Sequence, residues 1–114
     1  MRSASLSNVL IRCTRTDEKA AAAGFELVRR DLGLWVLEFE TDENADFSVG
    51  LSSVCGRLAG LLPELRGLAD GSQDFTLHLA LWANDIAAIL IPPVLSEIAA
   101  QCGFGIEIVI DPGT

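Results

Sequence analysis

The sequence predicts an α+β fold, a ferredoxin-like two-layer sandwich with two main helices on one face of a mostly antiparallel sheet. Three patterns carry that expectation. Phe47, Leu51, Val54, Cys55, Leu58, Leu61, Leu62 and Leu65 recur at spacings of three and four, the period of a helix that lays one face on a core. Before them, Trp35, Leu37 and Phe39 alternate with other side chains. After them, Phe75, Leu77, Leu79 and Leu81 do the same, which is the period of a half-buried strand. At 114 residues the chain is read as a single domain, 1–114.

The elements follow in order. Ser5–Arg15 reads as a strand with Val9, Ile11 and Cys13 on one face and Asn8, Leu10, Arg12 and Thr14 on the other. Thr16 is placed to cap a short helix over Asp17–Ala23, closed by Gly24. Phe25–Arg30 and Leu34–Thr41 form a hairpin around Asp31-Leu32-Gly33, and the acidic stretch Asp42–Asp46 is the loop that follows. In the central helix Ser52, Gly56 and Gly60 make a ridge of small residues suited to close approach of another element. Pro63 then kinks or restarts the helix. Asp74–Trp82 is a strand, Ile86–Ile91 a short edge strand, and Pro92-Pro93 opens a second helix capped by Gly103. Gly105–Asp111 is the last strand, with Ile106, Ile108 and Ile110 facing in.

Charge is unevenly distributed. Residues 1–30 hold six bases and three acids, whereas residues 31–114 hold two bases and thirteen acids, within a net charge of −8. That balance repels phosphate backbones and disfavours nucleic-acid binding, and it suits a basic protein partner. Half the residues are apolar and the mean hydropathy is +0.39, so some apolar surface is expected to remain for a partner, a homodimer by default. No apolar run reaches the ~20 residues of a membrane span. No secretory leader is recognised at the start, and Cys13, Cys55 and Cys102 read as buried thiols of a reducing cytoplasm.

Few residues carry recognisable chemistry. His78, the single histidine, shares a strand face with Thr76, Ala80 and Trp82. The three cysteines and His78 lack the paired spacing of a zinc site, and no phosphate-binding glycine loop or serine elbow occurs, so no metal, cofactor or catalytic residue is expected. Glu38, Glu40, Asp42, Glu43 and Asp46 form the densest acidic run. With helices on one sheet face, the other carries Arg12, Glu38, Glu40, His78, Trp82 and Glu107, with Arg12 able to pair with a glutamate across strands. The partner-binding candidates are therefore Glu38, Glu40, Asp42, Glu43, His78 and Trp82.

Gly33-Leu34-Trp35 opening a strand, the leucines Leu58, Leu61, Leu62 and Leu65, and Pro92-Pro93-Val94-Leu95 with Ile98, Gly103 and a final strand ending in Asp111 supply one resemblance. The segment Gly33–Asp111, about two-thirds of the chain, resembles a bacterial domain-of-unknown-function family, the one numbered forty-two seventy-nine. The resemblance implies a small intracellular α+β domain without assigned catalytic residues, and some related small acidic proteins look like immunity or antitoxin components. The reading is thus a non-enzymatic, cytoplasmic protein-interaction module that binds a basic partner through an acidic surface. The alternative is a dimeric small-molecule sensor with its ligand at the subunit interface. A third class, an enzyme pairing His78 with a glutamate, ranks below both.

Overall fold

The structure, a computed structural model, describes residues 4–42, 44–83 and 89–111. Five strands form one sheet: β1 (Ala4–Thr14), β2 (Glu26–Arg29), β3 (Leu34–Phe39), β4 (Phe75–Ala83) and β5 (Gly105–Asp111), in the spatial order β2-β3-β1-β4-β5. All neighbours are antiparallel except β4 and β5, which run parallel. The helices are α1 (Phe47–Gly60), the single turn α2 (Leu62–Leu65) and α3 (Pro93–Cys102). The fold is the expected α+β sandwich, a mostly antiparallel sheet with two main helices on one face.

Its topology follows from the pairing. β3 and β4 both lie antiparallel to β1, so they run parallel to each other with β1 between them. A parallel relation requires a crossover, and α1 with α2 supplies it over β1. The second crossover, through α3, sets β5 directly beside β4. The core lies between the layers. Val9, Ile11 and Cys13 of β1, Trp35 and Phe39 of β3 and Phe75, Leu77, Leu79 and Leu81 of β4 meet Leu51, Val54, Cys55 and Leu58 of α1 and Leu95, Ile98 and Cys102 of α3. Phe104 closes one end, its ring edge-on to Phe75 at 5.5 Å.

Several local expectations are met and several are corrected. Gly24, Gly33 and Gly103 adopt left-handed conformations at the ends of their helical turns, as their positions predict. At Gly33 a Cβ would also lie 2.4 Å from the Arg15 carbonyl oxygen, so only glycine fits there. The short helix before β2 is a 3₁₀ turn, Lys19–Ala23, and Thr16 does not cap it. Its N-cap position is Glu18, which makes no side-chain cap bond, while the Asp17 carboxylate, held by Arg15, accepts from the Lys19 amide. Pro63 sits in the first turn of α2, restarting the helix after Gly60. The small-residue ridge faces solvent: Ser52, Gly56 and Gly60 are exposed, and a Cβ on Gly56 or Gly60 would touch nothing. The close approach is made by Gly50, where an added Cβ would lie 3.0 Å from a Leu6 methyl carbon. Of the edge strand expected over Ile86–Ile91, residues 86–88 lie outside the described residues, and residues 89–91 have no regular structure. Ile106, Ile108 and Ile110 do point to the helix side, but Ile108 and Ile110 are exposed because the helices stop short of β5.

Candidate functional site

Among the described residues no helix covers the other face of the sheet, and pairing register determines what it presents. On β4, Phe75, Leu77, Leu79 and Leu81 enter the core, which turns Thr76, His78, Ala80 and Trp82 the other way. Across the sheet, Glu38, Leu10, His78 and Glu107 fall in one row on β3, β1, β4 and β5, and Val36, Arg12, Thr76 and Gly105 in the next. Gly105 carries no side chain, so the Arg12 guanidinium can extend over β4 toward β5.

It does so in a continuous polar chain. Arg12 Nε donates to Asp74 Oδ2 at 2.8 Å and Nη1 donates to Glu107 Oε1 at 2.9 Å. Thr76 Oγ1 donates to the other Asp74 oxygen at 2.6 Å, and His78 Nδ1 lies 2.7 Å from Glu107 Oε1. With Glu107 ionised, Nδ1 is the protonated nitrogen of His78. The hydrogen bonds from Arg12 and then His78 lower the Glu107 pKa below its ordinary value. Partial burial alone would raise the Asp74 pKa, but hydrogen bonds from Thr76 and Arg12 outweigh it and leave the carboxyl depressed. A carboxylate held ionised and already accepting two donors on one oxygen is a weak base, so the arrangement favours a fixed polar surface over proton transfer.

The candidate residues separate on this frame. Glu38, His78 and Trp82 share the open face. Glu38 is exposed directly opposite Leu10 of β1, and Trp82, 39% exposed, stands opposite Ser5 of β1 and Asp111 of β5. Glu40 lies just past the end of β3, its backbone carbonyl accepting from Arg57. Asp42 is exposed in the following turn and accepts from the Asn44 amide. Glu43 lies outside the described residues. Asp46 is the N-cap of α1, accepting from the Ser48 hydroxyl at 2.8 Å. The acidic run is therefore one face residue followed by a turn and a cap. Sequence reasoning missed Asp74 as a member of the cluster. It lies two residues before Thr76 and four before His78, so the period-two signal for that face was present at the strand boundary.

Two other places were candidates. A cleft of about 590 Å³ is lined by Thr14, Arg15, Asp17, Arg30, Trp35 and Gln73, but its buried guanidinium is held bidentately by Asp17. A smaller groove of about 240 Å³ between α1 and α3 is apolar, with Phe47, Leu51, Leu90 and Val94 among its walls. All three cysteines are buried thiols, and burial raises the pKa of each, that of Cys13 to about 11. Among the described residues no cluster of three or more His, Cys, Asp or Glu is arranged to hold a metal ion, and no helix is long and apolar enough to cross a membrane. No family model matches this chain, and neither a curated protein nor a solved structure matches it.

Proposed function

We propose that this chain is a non-enzymatic protein-interaction module that engages a basic partner through the open face of its sheet. One observation carries the reading: among the described residues, the cations that pairing places on that face, Arg12 and Arg29, are already ion-paired. Arg12 is bound by both Asp74 and Glu107, and Arg29 at the far edge is paired with Asp31. Glu38 is left exposed on the same face as Trp82, two strands across and two rows along from it, and Glu40 and Asp42 continue the negative surface off the end of β3. An accessible aromatic anchor on a face that also bears exposed carboxylates is the chemistry that draws in and seats a cationic surface. Immunity or antitoxin-like action, in which a small acidic protein covers the basic face of a toxin, is the sharpest form of the proposal. It agrees with what the family resemblance implies, in a cytoplasmic setting.

The test is affinity capture from lysate of the host, with elution by salt, repeated with two variants. Glu38→Lys with Glu40→Lys reverses the field and is expected to weaken capture of a stoichiometric basic protein at least tenfold and to flatten its salt dependence. Trp82→Ala removes the anchor and is expected to cost about 2 kcal/mol of binding. Binding that survives both changes overturns the assignment of this face.

A further inference from the structure

The two edges of the sheet are unlike. β2 is four residues long, its register against β3 slips between Leu27 and Arg29, and Arg29 is ion-paired with Asp31 beside it. Short length, irregular register and charge are the devices by which a sheet discourages another strand from pairing with its edge. β5 is neither short nor irregular, and its only charges, Glu107 and Asp111, lie on the face away from the helices. Its seven residues pair with β4 in unbroken register from Gly105 to Asp111, without a bulge, a proline or a lysine, and no described strand covers its other side. Ile108 is 38%, Val109 44% and Ile110 50% exposed. Leu77, Leu79 and Leu81, the neighbours of Ile106, Ile108 and Ile110 on the helix side, are 0% exposed. The most strand-prone apolar sequence of the chain thus lies on an edge that its own helices leave open.

We propose that a second copy of this chain occupies that edge, β5 pairing antiparallel with β5 about a twofold axis perpendicular to the sheet, so that two five-stranded sheets become one of ten. The exposed apolar pattern of β5, Ile106 and Ile110 placed symmetrically about Ile108, is complementary to itself and selects this occupant, and charge selects the register. In an antiparallel pair, directly opposed residues must point to the same face, which leaves alternate registers available. Centring the axis on Glu107 sets that carboxylate against its own copy, and centring it on Val109 sets Glu107 against the partner's Asp111. Both arrangements oppose like charges, which destabilises a strand pair. Centring on Ile108 places Ile108 against the partner's Ile108, Ile106 against the partner's Ile110 and Glu107 against the partner's Val109. The apolar side chains then meet one another on the helix side, and no carboxylate faces a carboxylate. Because the twofold consumes both free edges at once, the assembly closes at two copies. This interface is separate from the acidic end of β3, so it stands or falls independently of the function proposed above.

Light scattering or sedimentation of the purified full chain across micromolar concentrations is expected to give twice the 12.2 kDa mass of one copy. Ile108→Lys, at an exposed position, opposes two ammonium groups across the axis and is expected to give the single mass with unchanged circular dichroism. Register is read by oxidative cross-linking. Ile108→Cys sits opposite itself within disulfide reach and is expected to link, whereas Val109→Cys, displaced from its copy by two residues each way, is not. A monomeric wild type would overturn the proposal and leave the edge to a strand of another protein. So would growth into larger species, a dimer untouched by Ile108→Lys, or cross-linking through Val109→Cys in preference to Ile108→Cys.

Discussion

Arg15 shows what a single residue does for this fold. Its side chain is 2% exposed, a position where an unpaired charge is strongly disfavoured. Nε and Nη2 donate to the two oxygens of Asp17, and Nη1 donates to the Leu68 carbonyl and to Ser72 Oγ at 2.9 Å. One side chain thereby ties the end of β1 to the segment joining α2 to β4, which has little regular structure of its own. Arg15→Ala deletes those bonds and opens a space beside Trp35, and thermal or urea unfolding is expected to show a loss of about 2–4 kcal/mol. Arg15→Lys restores the charge but lacks the planar fork, so it recovers part of that loss and not all. A loss within ~0.5 kcal/mol for Arg15→Ala would show the network to be incidental. Nothing in the sequence marked this residue, because a lone arginine after an alternating strand has the pattern of a solvated terminus. Its burial depends on Leu68 and Ser72, more than fifty positions away.

Helix α1 sets two glycines with the same nominal cost in different surroundings. Glycine within a helix is destabilising by about 1 kcal/mol relative to alanine. At Gly56 an added methyl meets nothing within 4 Å, so Gly56→Ala is expected to raise stability by about 0.5–1 kcal/mol. At Gly50 the same methyl lies 3.0 Å from Leu6 Cδ1, and Gly50→Ala is expected to gain less than Gly56→Ala, or to lose. Equal effects in chemical denaturation would contradict the packing of α1 against β1. The sequence showed that α1 was a helix and which side it buried, since the spacing of Leu51, Val54, Cys55 and Leu58 is a local property. It did not show which glycine faced the sheet. The ridge Ser52, Gly56, Gly60 had the right spacing for close approach, but the apolar stripe had already claimed the opposite side of the helix. The strands divide in the same way: alternation identified each core face, while the placement of β1 at the centre and of β5 beyond the helices depended on the two crossovers. Pairing of Arg12 with a glutamate across strands was legible from alternation alone, but that the glutamate is Glu107, and that Asp74 joins it, became legible only once that order was known.

Across the whole molecule the carboxylates determine how stability responds to acid. With sixteen acids against eight bases, the chain carries −8 near neutrality and is isoelectric near pH 4.4. Lowering the pH from neutral toward that point relieves self-repulsion, which favours the compact state. The paired carboxylates oppose this further down. Asp17 is held at about 2 by the hydrogen bonds from Arg15 and from the Lys19 amide, against an ordinary 3.8. Asp31, Asp74 and Glu107 are also displaced downward, the last from an ordinary 4.5. A group whose pKa is lower when folded contributes its stabilisation above its unfolded value and loses it as the pH falls through the folded one. The melting temperature is therefore expected to hold or rise from neutral pH to the isoelectric region, and then to fall between about pH 4.5 and pH 2 as these pairs are protonated. Two variants assign that fall. Arg15→Ala returns Asp17 toward its ordinary value, and Glu107→Gln removes one of the titrating groups, so each is expected to shallow the acid limb of melting temperature against pH while lowering its plateau. An acid limb of unchanged slope in both variants would place the sensitivity elsewhere, in the net positive charge that accumulates once the remaining carboxylates are protonated.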